Sequence, residues 1–311
     1  MPRISVIMPL YNAERFVSKA ILSILNQTYE DFELIMVDDC STDSTMSIVD
    51  DISDSRIKIL HNCNNMGIAY SRNLALANCM GEYIAIMDDD DLSIKDRFKL
   101  QVDFLDSNEN IDAVGGRICF IDEDDNYITP FKEAYYNPKY MKAELLFRNP
   151  TINSSMMFKK SVIEENEIKY RDGYLGLEDY MFWVEFSKVG NICELNDVLA
   201  KYRVYQENES NRNTKDCSDE RARVYSNIQK YSLSKDGFEL SYDELNLFTR
   251  VFDEYRYRLK NEKEMYDVVS LLNKVIDQAY NMNLDNKCEI VSACKNNFAL
   301  KIKSANYLWS R

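Results

Sequence analysis

Residues 83–91 read YIAIMDDDD, a mostly apolar run that passes without a spacer into four consecutive aspartates. The first five residues, with a tyrosine and two isoleucines, have the composition of a short buried strand. Carboxylates at about 4 Å repel by about 1 kcal/mol in water, and by several-fold more in a partly buried site. Either these four stand fully in solvent or something positive lies beside them.

The same design recurs upstream. ISVIMPL (4–10) runs into Tyr11-Asn12, and FELIMVDD (32–39) closes on Asp38-Asp39. RIKILHN (56–62) and AVGGRICFID (113–122) are further strand candidates. Between the first two, Phe16, Ala20 and Ile24, with Val17, Ile21 and Leu25, recur at four-residue spacing and mark one helical stripe ending at Asn26-Gln27-Thr28. Ser41-Thr42-Asp43 offers an N-cap to a helix carrying Met46, Val49 and Ile52. Residues 69–80 and 94–107 are also helical in pattern, the latter with Phe98, Val102 and Leu105 on one face. Apolar strands spaced by helices indicate βαβ units and a parallel sheet. Ligands of such sheets bind beyond the carboxyl ends of the strands. Three tips are therefore expected to meet around one ligand: Pro9-Leu10-Tyr11-Asn12, Asp38-Asp39, and Asp88 to Asp91.

The totals set limits. With 311 residues, 45% hydrophobic and 29% charged, the chain can bury two domains or one large domain with an extension. A net charge of −14 argues against a nucleic-acid binder, which needs a basic face. The eight cysteines are scattered without a C-x-x-C, and the N-terminus carries no signal-peptide pattern. Reduced thiols and a cytoplasmic location are the expectation. No apolar run approaches about 20 residues, so no membrane span is expected. His61 is the only histidine. That removes most His-based triads and His-rich zinc sites, and points to carboxylates as the acid–base groups.

From 123 to 210 the pattern is mixed, with short runs such as INSSMMF (152–158) and LAKYRVY (199–205). Residues 206–215 are polar and read as a linker or exposed turn; 216–234, 241–262 and 263–282 are helical in character. The stretch 295–311 combines Lys295, Lys301, Lys303 and Arg311 with aromatic and aliphatic residues and no acid. It suits either a helix packed on its own domain or peripheral contact with an anionic membrane face.

Each acidic tip has a functional and a plain reading. Asp88 to Asp91 suit a divalent cation plus a sugar hydroxyl, since Mg²⁺ favours one or two carboxylates with substrate phosphates; otherwise they form a solvated loop. Asp38-Asp39 can accept from a base or a ribose, or merely cap a helix. Asn65-Met66-Gly67 followed by Arg72 offers a tight turn and a guanidinium for a diphosphate; the alternative is a surface arginine. Asp122, Asp124, Asn126 and Glu133 partly mimic a calcium loop, but Tyr127 stands where the glycine is required, which indicates a β-turn.

Together, the blocks ISVIMPLYNAERFVSKAILSILNQTYEDFELIMVDDCSTDST, NMGIAYSRNLAL and GEYIAIMDDDD resemble the nucleotide-sugar domain of family 2 glycosyltransferases, over roughly residues 1–205. The resemblance implies a GT-A fold: a Rossmann-like, mostly parallel α/β sheet flanked by helices, here with a helical C-terminal extension. It implies a nucleotide-sugar-binding half (1–122), an acceptor and catalytic-base half (123–210) and the extension (216–311). It places the nucleoside on Pro9, Tyr11, Asn12 and Asp38, with Asp39 on a uracil, and Gly67 and Arg72 beside the diphosphate. Asp88-Asp89-Asp90 matches the family's acidic motif, with Asp88 near the ribose, Asp89 beside it and Asp90 on Mg²⁺ or Mn²⁺. GYLGLEDYMFW (173–183) supplies Asp179 as general base, with Glu178 next to it. Many relatives carry a histidine two residues after a Tyr-Arg pair; here Tyr202-Arg203 is followed by Val204-Tyr205, so that ligand is missing. Cys40 also replaces a common glycine.

The expectation is an inverting enzyme that moves one sugar from a nucleotide donor, UDP-linked by preference, to a glycan or lipid-linked acceptor in bacterial-type surface polysaccharide synthesis. The processive Q-x-x-R-W signature is absent. A catalytically inactive scaffold of the same fold, or a sugar nucleotidyltransferase, are the alternatives; the latter would want a glycine-rich basic loop where Leu10 to Glu14 has neither glycine nor lysine.

Overall fold

In this computed structural model, residues 1–129, 137–206, 219–253, 259 and 261–309 are described, except for the side chains of 129 and 303–309. Buried strand amides must be paired, and the apolar runs of the N-terminal half pair with one another. β1 (Ile4–Leu10) lies between β2 (Phe32–Asp38) and β4 (Tyr83–Ile86), parallel to both, and β3 (Ile57–His61) extends the sheet past β2. The chain thus moves outward from β1 to β3 and returns to the other side of β1 at β4. That reversal opens a crevice beyond the carboxyl ends of β1 and β4.

Beyond β4 the sheet becomes mixed. β8 (Met157–Lys159) is antiparallel to β4 and to β6 (Ala113–Ile121); β6 runs parallel with the long β9 (Ile192–Arg203), which carries β5 (Leu92–Ser93) on its far edge. β7 (Tyr127–Thr129) returns on β6 as a hairpin, so Asp122 to Asn126 form its turn, as the misplaced Tyr127 predicts. The run at 152–158 splits into a short 3-10 turn and the start of β8, and 199–203 is the end of β9.

Alternate residues of the central strands feed two apolar faces. Ile4, Val6, Met8 and Leu10 pack with α1 (Val17–Leu25) and α4 (Arg97–Ser107). Ile7, Ile35 and Val37 pack with α3 (Ile68–Leu76) and α7 (Glu178–Phe186). Each fully buried aliphatic side chain contributes about 1.5–3 kcal/mol. Gly81 lies so close to β1 that a Cβ would meet the Ser5 amide nitrogen at 2.5 Å. The remaining helices of this part are α2 (Thr45–Asp50), α5 (Pro138–Glu144) and α6 (Lys160–Glu165).

The N-cap expected at 41–43 is only partly correct. Asp43 Oδ1 accepts the Thr45 amide at 2.9 Å, whereas Ser41 and Thr42 bind Asn12 of the β1 tip. Among the described residues four helices follow: α8 (Asp219–Lys235), α9 (Tyr242–Val251), α10 (Glu262–Asn281) and α11 (Lys287–Trp309). Their core, with Phe248, Val268, Leu272 and Ile290, closes over Leu146 and Phe147, which joins the extension to the sheet half. Phe298 and Ile302 of the basic C-terminal stretch pack on this core. Arg311 and most of the polar 206–215 segment lie outside the described residues. Among the described residues, no helix is long and apolar enough to cross a membrane.

Candidate active site

Each aspartate of the opening run finds a different partner. Asp88 Oδ1 accepts from Arg72 Nη2 at 2.8 Å and Oδ2 from the Ser154 hydroxyl at 3.2 Å. Asp89 Oδ2 accepts the Tyr11 amide at 3.2 Å, which ties the β4 tip to the β1 tip across the crevice. Asp90 Oδ2 accepts the Tyr205 phenol at 3.0 Å, and Asp91 Oδ1 the Arg203 amide at 2.8 Å. The positive charge that the run requires comes from three arginines, Arg72, Arg97 and Arg203, which are 3%, 0% and 0% exposed. Arg97 donates to the Ile86 and Met156 carbonyls; burial draws its guanidinium down to about 9, with Asp88 and Asp91 pulling the other way. Arg203 Nε donates to the Asp90 carbonyl at 2.7 Å.

These cations leave negative charge over. Burial and then the neighbouring Asp90 push Asp89 and Asp91 well above the usual carboxylate range, and burial with Asp88 pushes Asp90 up to about 6. Asp91 Oδ2 is buried without a hydrogen-bond partner among the described residues. Oxygen donors carrying unquenched charge fit a hard divalent cation such as Mg²⁺ or Mn²⁺. Among the described residues, no group of three or more acidic, histidine or cysteine side chains converges to hold one. A cation here would therefore be completed by ligand oxygens or water.

The β2 tip is as ordered as the sequence suggests, but its carboxylates are already occupied. Asp39, 4% exposed, accepts from Asn62 Nδ2 (2.7 Å) and from the Met66 (2.7 Å) and Gly67 (2.8 Å) amides. Three of its four lone-pair positions are used, which leaves one on Oδ2. Gly67, at φ +87°, permits this turn. Asp38 accepts the Ser41 amide at 3.0 Å, and Cys40 occupies the left-handed region at φ +63° without glycine. Pro9 is buried in β1 opposite Val37, Asn12 is locked to Ser41 and Thr42, and the Tyr11 ring is 48% exposed at the crevice.

Arg72, expected beside a diphosphate, is held in the structure by two carboxylates. Arg72 is buried, and its Nη1 and Nη2 are engaged by Glu178 and Asp88, each at 2.8 Å. A buried cation must be paired, and these carboxylates satisfy it; they hold its proton affinity up against burial. Glu178 is accordingly a counter-ion rather than an open acid. Through Arg72, the first turn of α7 is tied to the β4 tip. Asp179 accepts from Asn149 Nδ2 at 3.0 Å. Burial first, then the Glu178 charge, raises its carboxyl to about 7, although Arg72 acts in the opposite direction. Gly173, Leu175 and Gly176, all at positive φ, shape the loop that leads into it.

Residues 5–166 match the sequence pattern of Glycosyl transferase family 2. The chain belongs to that family. This glycosyltransferase is 31% identical over 290 residues to an uncharacterized glycosyltransferase of Haemophilus influenzae, covering 88% of this chain and 90% of the relative. It is 32% identical over 219 residues, 68% of the chain and 81% of the relative, to the Escherichia coli UDP-Glc:alpha-D-GlcNAc-diphosphoundecaprenol beta-1,3-glucosyltransferase WfgD. Among solved structures, S. aureus TarS 1–349 in complex with UDP-GlcNAc superposes with a TM-score of 0.64 at 17% identity, over 98% of this chain and 93% of that one. That likeness concerns the fold, which is GT-A. Family membership sets aside the nucleotidyltransferase alternative.

Sequence reasoning missed Asn62, Asn149, Ser154, Arg97 and the role of Tyr205. Asn62 ends a strand run as one more polar residue, Asn149 and Ser154 lie in the mixed segment after 123, and Arg97 reads as an ordinary helix residue. Tyr205 occupies the place of the missing histidine, yet its phenol reaches the same Asp90.

Proposed function

We propose that this glycosyltransferase moves one sugar from a UDP-linked donor to a glycan or lipid-linked acceptor with inversion at the anomeric carbon, in assembly of a bacterial-type surface polysaccharide. The observation that carries the reading is Asp179: a carboxyl raised to about 7, oriented by Asn149 at the mouth of the crevice where the β1 and β4 tips meet. A base poised near working pH is what proton removal from a hydroxyl requires. The UDP donor and lipid-diphosphate acceptor class are supported by the name of the E. coli relative.

In this reading the Tyr11 ring offers its face to the uracil and Asp39 its last lone pair to the imide N–H. Asp88 meets the ribose and Asp90 the cation. Mg²⁺ or Mn²⁺, when bound there, neutralises charge on the departing diphosphate. Asp179 takes the acceptor hydroxyl proton as that oxygen attacks the anomeric carbon; the bond from that carbon to the diphosphate oxygen breaks, and UDP leaves. One in-line displacement inverts the centre. Arg72 holds Asp88 and Glu178, and the fixed Glu178 charge keeps Asp179 basic.

The test is turnover of UDP-glucose and UDP-GlcNAc with Mn²⁺ on lipid-diphosphate-sugar acceptors, with product stereochemistry read by NMR. Inverted product from a UDP donor is expected. A retained configuration would remove Asp179 from its role, and turnover of only GDP-linked sugars would overturn the donor class.

A further inference from the structure

A second polar site lies at the opposite edge of the sheet from the aspartate run. A cavity of about 180 Å³ opens between α5, the turn after α7, the first residue of β9, and Asp285 in the turn joining α10 to α11. β9 is parallel with β6, and β6 with β4 through the intervening antiparallel β8, so Ile192 marks the amino ends of these strands. The cavity is therefore remote from the donor crevice. At about 30 Å³ of liquid volume per water, it has room for a phosphate-sized group.

Three lysines line it in a protein of net charge −14. Lys139 Nζ donates to the Asp285 carbonyl at 2.9 Å, with the Asp285 carboxylate at 3.6 Å. Lys188, with its side chain 15% exposed, donates to Asp236 at 2.9 Å and to Ser232 at 3.3 Å. Lys142, half-buried, has no hydrogen-bond or ion-pair partner among the described residues. Three lysines thus line the cavity with one carboxylate, Asp285, while Asp236 pairs with Lys188 outside the lining. Burial lowers the proton affinity of Lys188, the Asp236 charge and hydrogen bond oppose that, and the Lys142 charge adds a smaller lowering.

We propose that this cavity binds a small phosphate-bearing anion through Lys139, Lys142 and Lys188, at a site separate from the donor crevice. Lysine binds phosphate as a compact point charge with rotatable donors, and a dianion cancels the uncompensated charge that the protein leaves there. The lining spans the α7 turn and the α10–α11 turn, so an occupant would link the sheet half to the helical extension. The phosphate can come from a soluble ester or diphosphate, or from an anionic lipid headgroup.

Thermal unfolding of the full chain, in phosphate or pyrophosphate against chloride at equal ionic strength, provides the test. Phosphate is expected to raise the wild-type Tm by about 2 °C or more, and Lys142→Gln to weaken its affinity by about tenfold. Without phosphate, Lys142→Gln should unfold no earlier than wild type, because it removes an unopposed like charge; the same comparison with Lys139→Gln checks the second ligand. Sedimentation with phosphatidate vesicles, against phosphatidylcholine vesicles, assigns the source. Phosphatidate binding that is lost in Lys142→Gln, without any response to free phosphate, means that the site reads a headgroup. A shift equal in chloride, a shift retained in Lys142→Gln, or no response to either phosphate source would overturn the proposal.

Discussion

Replacing Asp179 with asparagine should make the protein more stable and less active, with the stability gain dependent on pH. The carboxyl moves from an ordinary 3.8 to about 7, chiefly through burial and the adjacent Glu178. A raised carboxyl means that the folded state binds the proton more tightly than the unfolded chain. Asp179 therefore costs nothing below pH 3.8, costs progressively more as pH rises through that window, and costs its full amount above pH 7. At 1.36 kcal/mol per pH unit, the ceiling is about 4 kcal/mol. Partial solvation of the group and relaxation of Glu178 should bring the realised cost to about 1–2 kcal/mol. Asparagine keeps one oxygen, enough for the Asn149 amide or the Tyr180 N–H but not both. Thermal unfolding of both proteins at pH 4, 6 and 8 should show a Tm gain for Asp179→Asn that is small at pH 4 and about 2–8 °C at pH 8. Transfer should fall by about 10²–10⁴-fold, while the wild-type rate climbs as pH passes about 7. Equal melting temperatures at pH 8, or unchanged transfer, would refute the claim that this is a half-buried, poised base.

Arg72→Ala leaves the Asp88 and Glu178 carboxylates without their shared cation and should cost about 3–5 kcal/mol in urea unfolding; Arg72→Lys should restore only part, since one ammonium cannot reproduce the two-armed contact. A loss below about 1 kcal/mol would show that the bridge is not structural. Tyr205→Phe removes the phenol donor to Asp90 but keeps the ring that packs 5.0 Å from Phe16. It should weaken Mn²⁺-dependent UDP binding by about 1 kcal/mol in calorimetry, with no change in melting temperature; unaltered affinity would discard Tyr205 as a positioning residue. Asp90→Ala should remove the Mn²⁺ dependence of UDP binding, and a dependence that persists would move the cation elsewhere.

Much of the N-terminal half was legible because it is local and periodic. Strand ends at 10, 38, 61 and 86 were readable to within a few residues from apolar runs that stop at polar tips. Reversal of direction at β8 was not readable, because 152–159 pairs with strands more than 40 residues distant and carries no pattern of its own. The same holds for Asn149, whose only signal is a contact made 30 residues away. Arg72 shows the limit most clearly. Its spacing pointed to the site, but whether it faces a ligand or two carboxylates depends on Glu178, 106 residues later.

The amino-acid sequence alone determined that strands flanked by helices would carry acidic tips to one sheet edge, since strand periodicity and direction follow from neighbouring residues. Only the tertiary structure decided how that charge is divided. Coulomb energy and desolvation depend on through-space distance and on what covers each group. Three buried arginines and one base near neutrality therefore became visible only once distant segments were packed together.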